Sequence, residues 1–236
     1  MKQYFYHSKN LAHSFLFILP LLVLYEVGIA LQSSNVKNAA DVAIKTPLAL
    51  FGKNGSLIFN SLVIVFLFAS VFSIEKGHRL NLQTFVLMFL ESAAYALCIG
   101  YGLGFIVYQK LSPHTMAIAL SLSNTWKGVI LSVGAGVYEE IVFRLLLISA
   151  LYFLFAAAIK INKPVSAVIS AIVGAFIFAV AHYMGSLGDS FTSTGFLFRF
   201  LSGLVLSVIF MFRGLGIAVY THAIYDVLSI VRPFHV

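Results

Sequence analysis

The sequence predicts an all-α, polytopic transmembrane helical bundle of seven or eight spans, and three observations lead there. Of the 236 residues, 61% are hydrophobic and only 10% are charged, too few charges to cover the surface of a water-soluble domain of this length. Apolar runs of about 20 residues, the length that crosses a hydrocarbon core, recur from one end of the chain to the other. Short polar stretches containing glycine or proline separate them. The expectation is one integral membrane domain over 1–236, with no room for a separate soluble one.

The predicted helices cover 11–31, 56–74, 84–108, 127–159, 165–184, 196–212 and 214–231. Lys2, His7 and Lys9 precede the first of them, an order that a signal peptide shares. The run continues to Leu31 and further spans follow, which favours a retained helix over a cleaved leader. The segment 32–55, with Asn35, Asn38, Pro47, Gly52, Asn54 and Gly55, is the longest polar connection. The apolar stretch 115–122 is too short to cross a bilayer unaided. It is either a re-entrant or interfacial piece or part of an eighth span. Lys163 and Pro164 end one helix and start the next, since proline lacks the N–H that a helix interior needs. A loop follows at 185–189, and Arg213 with Gly214 makes a tight turn.

The formal charge of +7 comes from lysines and arginines near the ends of the apolar runs. That pattern reads as interfacial anchoring and contact with membrane lipid. Nucleic acid is not an expected partner, because no basic stripe is interleaved with exposed aromatics. The positive charges divide too evenly between the two sides to fix the orientation. The expected location is a bacterial cytoplasmic membrane, crossed several times. The single cysteine, Cys98, excludes an intramolecular disulfide and any cysteine-based zinc set.

Ionisable residues inside the spans carry the functional information, because a charge at the bilayer centre costs from about 2.5 to more than 10 kcal/mol. Glu139, Glu140 and Arg144 sit together inside one long apolar helix. Glu140 and Arg144 are four apart, share a face and form an expected structural ion pair. Glu139 points about 100° away around the helix and lacks that partner, which suits a general acid or base. His182 ends another helix, where a lone histidine is more often a hydrogen-bonded core residue. His222 and Asp226, again four apart, share one face and by themselves read equally well as a helix-locking hydrogen bond. Glu26 and Glu91 are isolated acids to which a structural hydrogen-bonding role is assigned, with Ser92, Ala93 and Ala94 permitting close helix approach beside Glu91. Arg199 is expected to snorkel to the interface, and Trp126 with Lys127 to anchor there.

Depth brings these signals together. Lys160 and Lys163 mark one shared loop. At 1.5 Å per residue, Glu139 lies roughly 31 Å from Lys160, and His182 roughly 28 Å from Lys163. Both belong to the membrane half far from that loop. His222 and Asp226, roughly 13 and 20 Å from Arg213, run from the midplane into the same half.

These residues resemble the CAAX-processing and bacteriocin-processing (CPBP) family of intramembrane glutamic endopeptidases. Its motif Glu-Glu-x-x-x-Arg is met by Glu139, Glu140 and Arg144, its Phe-x-x-x-His by Phe178 and His182, and its His-x-x-x-Asn/Asp by His222 and Asp226. The three occur in order on hydrophobic helices, within a motif-bearing core of about 127–231. The resemblance implies a hydrolase in which Glu139 and His182 activate a water against a peptide carbonyl. It gives His222 and Asp226 the oxyanion, and Glu140, Arg144 and Phe178 a supporting role. Asp226 departs from the ideal, because an ionised carboxylate cannot donate a hydrogen bond. Either it is protonated, or it orients His222 and the imidazole alone donates.

The implied partner is a membrane-associated peptide or a lipidated, CAAX-type protein. No cofactor is expected from the resemblance. Zinc is the alternative, since Glu139, His182, His222 and Asp226 are zinc ligands in number and type, although no His-Glu-x-x-His helix is present. Two rival functions use the same residues: a non-catalytic scaffold or immunity protein of this fold, and a small proton-coupled transporter.

Overall fold

The computed structural model describes residues 2–31, 38, 40–42, 52, 65, 69, 82–110, 125–184 and 188–231. The chain is an all-α integral membrane protein. Helix α1 is Lys2–Lys9, and α2 is Leu11–Leu31. Helix α3 is Leu82–Leu97 and continues through two π-helical stretches, Cys98–Leu103 and Phe105–Lys110. Helix α4 begins as Thr125–Glu139, turns π-helical over Glu140–Ile148, and runs on through Ser149–Phe153 and Leu154–Ala158. Helices α5 (Lys163–Ala181), α6 (Ser193–Arg213) and α7 (Leu215–Val231) complete the described bundle. Apart from Val65 and Ala69, the predicted 56–74 helix lies outside the described residues, as does 115–122.

Five stretches are long and apolar enough to cross a membrane: Leu11–Leu31, Leu82–Val107, Trp126–Ala158, Lys163–Ala181 and Ser193–Arg213. They match five predicted spans to within a few residues. The sixth, α7, is apolar but shorter. Residues 213–223 are buried without interruption, because α7 is the central helix and packs against α2, α3, α4 and α6. A helix enclosed on all sides is apolar all round and needs no lipid-facing stripe. The outer helices do carry one: Val23, Val27, Leu31, Val86, Leu90, Val168 and Val208 are all exposed, as bilayer-facing residues should be.

Local chemistry explains the helix ends. Asn10 Oδ1 accepts from the N–H groups of Ala12 at 2.9 Å and His13 at 3.2 Å, which caps α2 and separates it from α1. Pro164 opens α5 after Asn162. The Thr192 hydroxyl accepts from Gly195 N–H at 3.1 Å and caps α6. Gly214, at φ 95°, turns α6 directly into α7. A Cβ there would meet Ser8 O at 2.8 Å, so this turn is also where α1 docks.

Two residues read separately in the sequence prove to be one feature. Glu91 on α3 and Arg213 at the end of α6 pair through two hydrogen bonds, Nε to Oε1 at 2.5 Å and Nη2 to Oε2 at 2.8 Å. Tyr4 of α1 also donates to Glu91, and Tyr95 donates at 3.0 Å. Arg213 is therefore not a loop charge in solvent. It is buried, with the rings of Tyr4 and Phe5 over its guanidinium. Burial, reinforced by the adjacent carboxylate, pushes the Tyr4 hydroxyl above its ordinary range, so it stays a neutral donor. Glu26 likewise has a structural partner, the Tyr138 hydroxyl at 2.5 Å. Arg199 pairs with Asp189 across the α5–α6 loop and lies over the Tyr183 ring.

Helices α4 and α7 approach closely at Gly136. A Cβ there would lie 2.6 Å from Ala223 Cβ and 2.7 Å from the Ala223 backbone nitrogen. Backbone cannot yield as a flexible side chain can, so Gly136→Ala should separate the two helices. The expected cost is about 1–3 kcal/mol of stability, measured by thermal unfolding in detergent. A variant as stable as the wild type would refute this close approach.

Candidate active site

The Gly136 contact sets the distance between the acidic turn of α4 and His222 on α7. At Glu139–Glu140 the helix changes from α to π winding. Such widened turns recur at functional sites because they re-aim side chains away from the regular helical period. Here both carboxylates reach the same imidazole from opposite edges. Glu140 Oε1 lies 2.7 Å from His222 Nδ1, and Glu139 Oε2 lies 3.9 Å from His222 Nε2. The roughly 100° divergence expected between them does not separate their targets.

Glu140 is the inner of the two and is fully buried. Its Oε1 also meets Arg144 Nη1 at 2.9 Å, so one oxygen binds the guanidinium and the imidazole. Arg144 Nη2 donates to Gly203 O on α6 at 3.5 Å. Its guanidinium lies 4.3 Å from the Phe178 ring centroid. Phe178 in turn packs edge-on against His182, at 4.7 Å between centroids, and against His222, at 6.0 Å. The aromatic ring thus holds α5 in contact with the charged groups of α4 and α7.

His182 caps the C-terminus of α5. Its Nδ1 lies 2.8 Å from Phe178 O; a carbonyl only accepts, so Nδ1 is the protonated donor and Nε2 is turned away. That Nε2 is 3.8 Å from Glu139 Oε2, a separation that one bridging water spans. Asp226 Oδ2 is 3.4 Å from His222 Nε2. Glu139, His182, His222 and Asp226, from three helices, are therefore brought together. Between Asp226 and Glu140 the roles differ from expectation. Glu140, not Asp226, holds His222 Nδ1, and Asp226 faces the nitrogen that points into the site.

Exposure is graded across the cluster. The side chains of Glu140 and Arg144 are 0% and 1% exposed, Glu139 13%, His182 25% and Asp226 26%. The rear is sealed and the front is accessible. Glu139 Oε2 is itself buried and has no hydrogen-bond partner. Its other oxygen, Oε1, accepts from Asn38 Nδ2 at 3.0 Å. Asn38 appeared in the sequence only as one polar residue of a long connection. Its place at the site has no local sequence signal, because the bond spans 101 residues. Among the described residues, no three His, Cys, Asp or Glu side chains are arranged as a metal-holding set.

Removing Arg144 would leave Glu140 buried beside His222 without its cation. Arg144→Met should destabilise the protein by about 3–5 kcal/mol, and Arg144→Met with Glu140→Gln by less, since the second change removes the uncompensated charge. Denaturant unfolding of the two variants checks this. Equal losses would show that the pair is not electrostatically coupled.

A family model described as type II CAAX prenyl endopeptidase Rce1-like matches residues 121–228. Neither a curated protein nor a solved structure matches the chain. The matched segment contains all three motifs and every clustered residue except Asn38. The family is one of peptidases, and it agrees with the resemblance that the motifs carry. Residues 121–228 of this chain, which carry the clustered acids and histidines, are thus similar to the Rce1-like family of type II CAAX prenyl endopeptidases.

Proposed function

We propose that this chain is an intramembrane endopeptidase that hydrolyses a peptide bond near the C-terminus of a prenylated, membrane-associated protein or peptide. The observation that carries the reading is Glu139 Oε2. It is buried without a hydrogen-bond partner on a side chain that is 13% exposed, and lies 3.8 and 3.9 Å from the Nε2 atoms of His182 and His222.

In this reading, a water held between Glu139 and His182 gives up a proton to that pair as its oxygen attacks the scissile carbonyl. His222 serves the oxyanion. Its Nδ1–H is engaged by Glu140, and the negative oxygens of Glu139 and Asp226 favour a proton on Nε2, where it can be donated to the developing charge. Asp226, 3.4 Å from that nitrogen, acts through the imidazole by orienting it. Collapse of the tetrahedral intermediate breaks the C–N bond. The proton taken from water passes to the leaving amine, so the carboxylate and imidazole are regenerated. The chemistry requires no metal.

The test uses purified protein in detergent with peptides carrying S-farnesylcysteine and three following residues, beside unprenylated controls. Wild type should cleave after the modified cysteine, and Glu139→Ala should lower kcat by about 10³-fold, within the range for loss of a general base. Hydrolysis untouched by Glu139→Ala would remove the catalytic assignment of Glu139, and no hydrolysis by the wild type would leave the scaffold reading. Strong chelators should leave the rate unchanged. A loss that added zinc restores would instead place a metal among these residues.

A further inference from the structure

Among the described residues, Asn38 contributes to the site a side chain that the three motifs do not contain. We infer that it is a positioning residue, whose amide holds one oxygen of Glu139 and thereby aims the other at the two imidazoles. The inference rests on the proposed role of Glu139 and deepens it.

The amide has two different engagements. Its Oδ1 accepts from the N–H groups of Ala40 at 2.8 Å and Asp41 at 3.3 Å, a capping arrangement that starts the short helical turn 40–42. Its Nδ2 donates to Glu139 Oε1 at 3.0 Å. The turn is itself anchored. Asn38 N–H donates to the Tyr25 hydroxyl at 3.3 Å, and that hydroxyl donates to Asp41 Oδ2 at 2.9 Å. Tyr25 is fully buried, with its ring seated on α4 at Gly134, where a Cβ would lie 2.2 Å from a ring carbon. The amide is therefore referenced, through Tyr25, to the helix that carries Glu139.

A carboxylate has two equivalent oxygens and rotates about its last bond. With Oε1 fixed by a donor, the rotation is stopped, and Oε2 is left toward His182 and His222. A cap alone would require only Oδ1. The second engagement is what distinguishes a positioning group from an ordinary capping asparagine, and aspartate separates the two. Asn38→Asp preserves a capping oxygen of the same reach but replaces the donor with an acceptor that Glu139 repels. Asn38→Ser keeps a shorter cap, lacks the donor and adds no charge.

The experiment compares wild type, Asn38→Asp, Asn38→Ser and Glu139→Ala in detergent, on the farnesylated peptide. Thermal unfolding is measured alongside, as is the infrared difference spectrum of each Asn38 variant against the same variant carrying Glu139→Gln. Asn38→Asp should unfold within a few degrees of wild type, with KM within about twofold and kcat lower by about 10²-fold, the size expected when a reacting group is misplaced by about 1 Å. Asn38→Ser should lie between. The Glu139 carboxylate band should move in both variants, a readout that needs no substrate. Unchanged kcat and an unchanged band in Asn38→Asp would overturn the inference while leaving Glu139 catalytic. Activity retained in Glu139→Ala would overturn the underlying mechanism instead. A loss of fold in both Asn38 variants would also overturn the inference, by showing that the cap and the donor are not separable.

Discussion

A single oxygen, Oε1 of Glu140, lies at the meeting point of the three helices that form the site. It binds the Arg144 guanidinium from its own helix and the His222 imidazole from α7, and Arg144 carries the contact on to Gly203 of α6 and to the Phe178 ring of α5. In a low-dielectric interior each of these polar groups would be costly alone. Together they satisfy much of one another, and the arrangement fixes which edge of His222 faces inward. The proposed chemistry depends on that choice, because an imidazole held at Nδ1 presents only Nε2 to the remaining acids.

The backbone makes this meeting geometrically possible in two ways. Gly136 removes the side chain that would hold α7 away from α4. The π-helical turn beginning at Glu140 re-aims the two acids so that they clasp one ring. Neither feature contributes chemistry. Each is a steric permission, and each lies within four residues of Glu139 or Glu140. Apolar residues of α2, α4 and α7, such as Ile18, Ile130, Val133, Val137 and Val219, pack these helices together in one buried cluster.

What was legible in the sequence follows from what is local. Spans were legible because hydropathy over about 20 residues is a property of the run itself. The Glu140–Arg144 pair was legible because four residues make little more than one turn. The convergence of Glu139, His182, His222 and Asp226 required only that helices rise 1.5 Å per residue from shared loops. Beyond that, tertiary competition decides. His222 and Asp226 looked like a complete pair at i and i+4, yet Glu140 from another helix took Nδ1. Glu91 and Arg213 each looked solitary, because a partner 122 residues away leaves no periodicity. Asn38 was hidden more deeply, since the aim of its amide depends on a capped turn and on a tyrosine seated against a glycine.

The two acids of α4 differ in role because they differ in surroundings, not in kind. Glu140 is enclosed, shares its charge with a guanidinium and an imidazole, and has no path to a reacting group. Glu139 has one oxygen held by an uncharged amide and the other buried beside two imidazoles without a hydrogen-bond partner. An amide fixes geometry without neutralising the carboxylate, whereas a cation in the same place would draw the proton-accepting charge toward itself. A bundle that had paired both acids with arginine would be more completely satisfied, but neither carboxylate would then be available to take a proton from water. In the proposed reading the adjacent pair separates two demands: a carboxylate with a guanidinium and an imidazole on one oxygen, which holds the helices together, and one without a cation, left for chemistry.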